Sequence, residues 1–334
     1  MISTTPGTAA GMTVFGAFLS TEEHPPLALV DQAVRAEAAG FEALWVSDHY
    51  HPWNDAQGHA PFVWSVLGAI AVRTSTVRCT TAVTAPVVRI HPAVVAQAAA
   101  TTASMFEGRF SLGVGTGEAL NEHILGDAWP TLDVRLEMLE EAVEVMRALW
   151  TGELVRHRGT HYTVDTARLY TLPEAPPPVL VSGFGPKATT LAARIGDGYL
   201  NVDPSAELLQ LYREQGGRGP AHGGVKVCWS QDEAEARRTV HRLWAHAAVP
   251  GEAGQQLPSP AHFEQLASVV TEQMAVDAVG AVGNRVEDFV EAVRPYVEAG
   301  YDEVYLSQIG EEQDGWFDFY ERELRPALAG LTAG

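Results

Sequence analysis

Cysteine and positive charge are both scarce in this chain: its 334 residues include two cysteines, and 22 Lys and Arg stand against 42 Asp and Glu. Cys79 and Cys228 lie far apart, each inside an apolar segment, and read as buried free thiols in preference to a disulfide. The net charge of −20 repels phosphate backbones and anionic lipid, which argues against nucleic-acid and membrane partners. Uninterrupted apolar runs of about 18 residues are missing, as is a basic-then-apolar start in Met1–Gly11, so a cytoplasmic location is expected. Low-complexity tracts are absent too. What remains is 46% hydrophobic and 19% charged, enough to bury a large core, and the length suits one barrel domain over 1–334 with insertions.

Short apolar runs alternate with longer stretches of helical period, the pattern of a parallel sheet covered by helices. Candidate strands are Thr13–Phe18, Ala43–Ser47, Cys79–Val83, Arg109–Val114, Val179–Ser182, Gly198–Val202, Val225–Trp229 and Glu303–Ser307. Eight strands can close a barrel, so the expected fold is α/β, a (β/α)8 TIM barrel. The first helix opens at Pro25 and Pro26, places Leu27, Val30, Val34 and Ala38 on one face, and ends at Gly40. One phrase recurs: residues 37–48 and 297–308 both read as helix end, Gly, aromatic, acid, strand, with a weaker copy at 192–203. Two segments interrupt the rhythm. Arg156–Pro178 is expected to be an excursion or lid, and Ser230–Asp277 an insertion with helices near Glu233–His246 and Ala261–Ala275 around a loop from Pro250 to Pro260.

In a barrel, chemistry gathers where strands end. Ser47-Asp-His-Tyr-His-Pro-Trp53 follows the second strand; His49 there can accept a proton from an alcohol whose carbon loses hydride, or simply satisfy loop backbone. Trp53 either walls a pocket or packs. Gly113-Val-Gly-Thr-Gly-Glu-Ala-Leu-Asn-Glu122 follows the fourth strand, where glycines admit a planar ligand and Thr116, Glu118 and Asn121 add polar groups. At Ser182-Gly-Phe-Gly-Pro-Lys-Ala-Thr189 a Gly-rich turn opens a helix, an anion site by its free amides, with Lys187 close by. Together they match a hydride-transfer enzyme with a phosphorylated cofactor.

These segments, with Gly58-His-Ala-Pro-Phe62, resemble the F420-dependent glucose-6-phosphate dehydrogenase family of the luciferase-like superfamily, and the resemblance runs from Phe15 to Leu328. It implies a homodimer using coenzyme F420, a deazaflavin hydride carrier, to oxidise an alcohol or sugar. It also implies roles: His49 as the base, Glu118 as the proton donor to reduced cofactor, Trp53 as a transition-state support and Glu22 at the substrate. Asp48, Thr116, Gly117 and Asn121 would contact the cofactor, with Ser182, Gly183, Phe184, Gly185 and Pro186 around its phosphate-bearing chain. A cis peptide at Ala82-Val83 would back the ring.

The departure lies where relatives acting on sugar phosphates hold the phosphate with basic side chains. Asp203–Glu207, Glu252–Gln255 and Met274–Asp277 contain no Lys or Arg, so an unphosphorylated substrate, neutral or cationic, is expected unless Lys187, Arg89 or Arg285 supplies the charge. Three rivals stand beside this reading. An FMN-dependent luciferase-like monooxygenase keeps the fold; a metal-dependent barrel hydrolase would use His49 and His51 but lacks matching ligands at later strand ends; a non-catalytic cofactor-binding protein would not need His49 and Glu118. No metal is expected.

Overall fold

The computed structural model describes residues 13–249 and 251–332; Met1–Gly11 and Pro250, both used above, lie outside the described residues. Eleven strands follow in order: β1 (Val14–Leu19), β2 (Ala43–Val46), β3 (Arg78–Thr81), β4 (Phe110–Val114), β5 (Val155–Arg158), β6 (Thr163–Ala167), β7 (Val179–Ser182), β8 (Gly198–Asn201), β9 (Ala221–Trp229), β10 (Ala281–Gly283) and β11 (Glu303–Gln308). Parallel pairing runs β1-β2-β3-β4-β7-β8-β9-β11 and returns from β11 to β1. Eight strands thus close a barrel, and they are the eight read from the sequence. β9 begins earlier than expected because Gly223 and Gly224 hide its first half. β10 was not anticipated; its three residues pair with β9 outside the barrel.

The first helix, Pro26–Ala39, has Pro at its start and ends at Gly40, whose φ of 91° is open to glycine. Its buried face differs from the expected one. Leu29, Val30, Ala33 and Ala36 are buried, while Leu27 is 77% exposed and Ala38 is exposed. Small alanines let this helix lie close on the sheet, so the stripe follows them and not the bulkier residues. Gly300 repeats the Gly40 geometry with φ 90°, whereas Gly196 is extended at φ −90°, so the third copy shares sequence without the turn.

Arg156–Pro178 contains the antiparallel hairpin β5-β6 and is not a lid: none of its residues lines the central cavity. Glu141 accepts hydrogen bonds from the backbone N–H groups of Thr160, His161 and Tyr162, and the Tyr162 hydroxyl donates to the Val87 carbonyl at 2.8 Å, which pins the hairpin to the barrel's side. In the second insertion the helix Glu233–Trp244 passes into a tight turn at Ala245–Ala248, and shorter helices follow at Ala253–Gln256, Pro260–Ala267 and Glu272–Asp277. The expected single stretch 261–275 is broken where the Thr271 side chain caps the last helix by accepting from the Met274 N–H. Cys79 and Cys228 are free and buried, and burial pushes both thiols up to about 12.

Inside the barrel, Ala43, Trp45, Leu180, Leu200 and Tyr305 form a separate cluster, with Phe18, Ala82 and Val83 against it. Trp45 and Tyr305 stack with ring centroids 4.3 Å apart. A Cβ on Gly16 would overlap the Tyr305 ring, and one on Gly224 the Trp45 ring, so these glycines make room for the pair. Gly113 of β4 is tighter still: its Cβ would overlap the Thr81 carbonyl of β3, and its N–H and C=O both hydrogen-bond the Thr81 hydroxyl, at 2.9 and 2.8 Å. We therefore expect Gly113→Ala to cost about 1–3 kcal/mol by forcing β3 and β4 apart, checked by urea denaturation; an unchanged midpoint would refute the close approach.

Candidate functional site

A cavity of about 1160 Å³ opens at the C-terminal ends of the barrel strands. Phe18, Trp45 and Leu200 of the interior cluster form its floor. Strand ends supply the walls: Glu22 after β1, His49 after β2, Ala82 and Val83 after β3, Gly115 to Glu118 after β4, and Ser182 with Phe184 to Ala188 at the end of β7. The second insertion adds Trp244, Glu252 and Gln255, in line with its expected place at the mouth.

His49 is held by its neighbours in a way that defines both ring nitrogens. The Asn121 side-chain oxygen accepts from the backbone N–H groups of Tyr50 at 2.8 Å and His51 at 3.1 Å, which turns its amide nitrogen toward Glu118 and toward His49 Nδ1, 3.1 Å away. The His51 carbonyl also lies 3.1 Å from Nδ1. Donation from Nδ1 to that carbonyl leaves Nε2 as a base, whereas donation from Asn121 to Nδ1 puts the proton on Nε2. Nε2 faces the cavity between two carboxylates, 3.4 Å from Glu22 and 3.6 Å from Glu118. A doubly protonated ring therefore has an acceptor at each nitrogen.

Glu22 also accepts hydrogen bonds from Ser47, from Ser20 at 3.1 Å and from the Trp53 indole at 3.3 Å. Burial pushes this carboxyl up, yet His49, the Ser47 hydroxyl and Lys226 outweigh it and hold the pKa below the usual carboxylate value. Trp53 stacks on His246 and meets Phe263 edge-on, each at 5.1 Å, so the insertion fixes it beside His49. Burial pulls His246 down to about 3, which keeps that contact neutral.

Twelve of the expected residues line the cavity: Glu22, His49, Trp53, Ala82, Val83, Thr116, Gly117, Glu118, Ser182, Phe184, Gly185 and Pro186. Asp48, Asn121 and Gly183 do not. Asp48 is buried behind the wall, paired with Arg89 at 2.9 Å and Thr84 at 2.8 Å; Gly183 packs where a Cβ would meet Thr189 backbone. The Ala82-Val83 peptide is cis. A Cβ on Gly115 would lie 2.8 Å from the Val83 side chain, so this glycine keeps the cavity wall open there. The helix Pro186–Ile195 starts at the cavity without a side-chain cap, its first-turn amides open to an anion. These residues fit a planar cofactor with a phosphate-bearing arm.

Several lining residues escaped the sequence reading. Among them are Lys226, from mid-β9, and Trp244, although a single Lys between Val225 and Val227 in a buried strand is a visible anomaly. Met274–Asp277 lies off the cavity. Arg89 is committed to Asp48 and Glu122, and Arg285 sits outside on Asp288. His51 turns its Nδ1 to the Leu120 carbonyl at 2.9 Å, and no group of three His, Cys, Asp or Glu among the described residues converges as metal ligands.

The family model described as luciferase-like monooxygenase matches residues 10–303. The chain belongs to the luciferase-like monooxygenase family. Among curated relatives, the F420-dependent glucose-6-phosphate dehydrogenase of Nakamurella multipartita is 36% identical over 331 residues, covering 95% of this chain and 97% of its own. The Nocardia farcinica protein of the same description is 35% identical over 330 residues, covering 94% and 97%. A solved F420-dependent secondary alcohol dehydrogenase, in complex with an F420-acetone adduct, superposes with a TM-score of 0.87 at 30% identity, covering 95% and 99%. The coenzyme F420 dependent tetrahydromethanopterin reductase of Methanopyrus kandleri, at 19% identity, TM-score 0.73 and coverage of 96% and 100%, shares the fold alone.

Glu23, next to Glu22, ties this family member's insertion to the barrel, accepting from the Trp244 indole and the Gly310 N–H, both at 2.7 Å. Burial outweighs these donors and raises its pKa to about 7. Because the folded value exceeds the unfolded one, this group's stabilising contribution is full below pH ~4.5 and is lost as pH rises through ~7. Glu23→Gln removes that titration, so the stability difference between wild type and variant should shift against wild type by about 1–3 kcal/mol from pH 5 to pH 8. Denaturation at both pH values checks this; a pH-independent difference would place Glu23 at an ordinary carboxylate pKa.

Proposed function

We propose that this protein is a coenzyme F420-dependent dehydrogenase acting on the CH–OH group of an unphosphorylated sugar or secondary alcohol. The observation that carries the reading is His49 Nε2, set on the cavity wall between Glu22 and Glu118. Relatives and a structural neighbour described as F420-dependent support the cofactor. When bound, the deazaflavin supplies a two-electron hydride acceptor at a ring carbon. Ala82, Val83, Thr116 and Gly117 would flank the ring, with Ser182, Phe184, Gly185 and Pro186 around the phosphate.

His49, with Nδ1–H given to His51, takes the hydroxyl proton at Nε2 while the carbinol carbon loses hydride. The Glu22 carboxylate then stabilises the imidazolium through the 3.4 Å contact, and Trp53 keeps that carboxylate in place. Glu118, which accepts a hydrogen bond from the Asn121 amide, would be the group that passes a proton to the reduced cofactor. The FMN-dependent alternative is less well supported: its examples among solved neighbours, such as an FMN complex of a Baeyer-Villiger monooxygenase at 17% identity, share fold only.

The absence of phosphate on the substrate is supported by charge. Glu22, Glu118, Asp133, Asp203 and Glu252 line the cavity against Lys187 and Lys226, and Lys187 is paired with Asp133 at 2.6 Å. A phosphate needs charge-assisted partners of roughly 1.5–3 kcal/mol each, and Lys226 alone is left to give one. The reading extends to a cytoplasmic homodimer. No helix among the described residues is long and apolar enough to cross a membrane. Support for the dimer comes from the neighbouring helices Val63–Arg73 and Pro92–Phe106, whose exposed positions Ser65, Val72, Val94, Gln97, Thr101 and Met105 are uncharged, with Arg73 at the end of the first helix the exception.

Titration with F420, followed by loss of oxidised-cofactor absorbance on adding alcohols and sugars, tests the reading; failure to bind F420, or binding of FMN with oxygen consumption, defeats it. His49→Ala should lower turnover by roughly 10²–10⁴ with F420 affinity within a few fold, and near-normal turnover would remove His49 from the mechanism. Glu118→Gln should alter the acid limb of the pH–rate profile; an unchanged profile would leave Glu118 as a positioning group.

A further inference from the structure

Lys226 is a cation inside the cavity that the mechanism does not use. Parallel pairing sets it beside Ser307 of β11, and both side chains line the cavity. Its ammonium lies 4.2 Å from the centroid of the Trp244 ring, and among the described residues no carboxylate or carbonyl hydrogen-bonds or ion-pairs with it. A lysine has three N–H donors, and a ring face satisfies none of them as an oxygen would. Such donors left free at a cavity wall point to ligand oxygen. Burial holds this ammonium's pKa below the usual lysine value, and Glu22, Glu23 and Asp203 offset that only in part, so the group sits among acceptors without being directly paired.

The chemistry of that oxygen follows from the surroundings. Asp203 and Ser307 also line the cavity, Asp203 close enough to act on the ammonium's charge, so hydrogen-bond donors and acceptors are both offered near Lys226. A dianion would meet the surplus of carboxylates, and a plain secondary alcohol would leave the ammonium to water. A neutral polyol suits every group, because each hydroxyl both donates and accepts.

We propose that Lys226 is a specificity-determining residue that donates hydrogen bonds to hydroxyl oxygens of a neutral polyhydroxylated substrate, while Asp203 accepts from the same molecule. This rests on the dehydrogenase reading for the reaction, and on the cavity alone for the binding. The Trp244 ring lies against the lysine ammonium and is itself anchored to Glu23, so the second insertion positions the donor.

The test pairs wild type with Lys226→Met, which keeps the length and removes the donors, and Lys226→Gln, which restores a neutral donor. F420 affinity, read by fluorescence, should be equal in all three and reports an intact site. With D-glucose, sorbitol, glucose 6-phosphate and 2-propanol as probes, the ratio of kcat/KM for the polyols to that for 2-propanol should fall at least about tenfold in Lys226→Met, mainly through KM, and recover in part in Lys226→Gln. Sorbitol and glucose titrations of cofactor-free protein, followed by tryptophan emission, should show the same weakening. An unchanged ratio, absence of saturable polyol turnover in wild type, or micromolar glucose 6-phosphate oxidation that Lys226→Met abolishes each overturns the proposal. Loss of F420 binding by wild type, with sorbitol binding still dependent on Lys226, would instead defeat the dehydrogenase reading and leave the lysine's role standing.

Discussion

The stacked pair Trp45 and Tyr305 is the contact on which the site depends. Two large rings fill the barrel's interior only because Gly16 and Gly224 surrender the space a Cβ would take. Below the stack, Tyr305 donates to Glu303, which Arg78 pairs at 2.7 Å, so the polar end of the tyrosine is satisfied within the barrel. Above it, Trp45 with Phe18 and Leu200 becomes the cavity floor. A plug of this kind makes the cavity one-ended, and every reactive group must then come from the strand ends that surround it.

Charges behind the wall hold those strand ends in register with one another. Arg89 is buried and sits between Asp48, which follows β2, and Glu122, whose carboxylate also accepts the Arg89 backbone N–H at 2.7 Å. Buried ions of one sign demand partners of the other, and here the demand links the loops after β2, β3 and β4. Asn121 works at the same junction: one amide organises the Tyr50 and His51 backbone, His49 and Glu118. Asp48 and Asn121 matter to the site as its frame, one layer behind the cavity surface.

The second insertion is bound to the barrel by aromatic and carboxylate contacts, and not by sheet pairing. Trp53 is gripped by His246 and Phe263, and Trp244 reaches Glu23. Both grips end within the cavity. The residues that fix the insertion are therefore the ones that shape the substrate end, and the lysine on β9 takes its position from the same tryptophan.

Periodicity and turn chemistry are local properties, and they made the eight barrel strands, the Gly40 and Gly300 helix ends and the clusters around His49, Glu118 and Gly185 legible in the sequence. The same local signals misplaced the buried stripe of the first helix and left the Arg156–Pro178 hairpin open between an excursion and a lid, because each depends on which surface the segment meets. The sequence reading could also name Asp48 and Asn121 as site residues but not their depth, since a side chain beside a cavity-lining one in sequence can point behind the wall. Lys226 shows the limit most plainly. Nothing within its strand says whether a lone lysine faces solvent or the barrel's interior; that was decided by the closure of the sheet, which turned alternate side chains of β9 inward and brought Trp244 over the ammonium from an insertion.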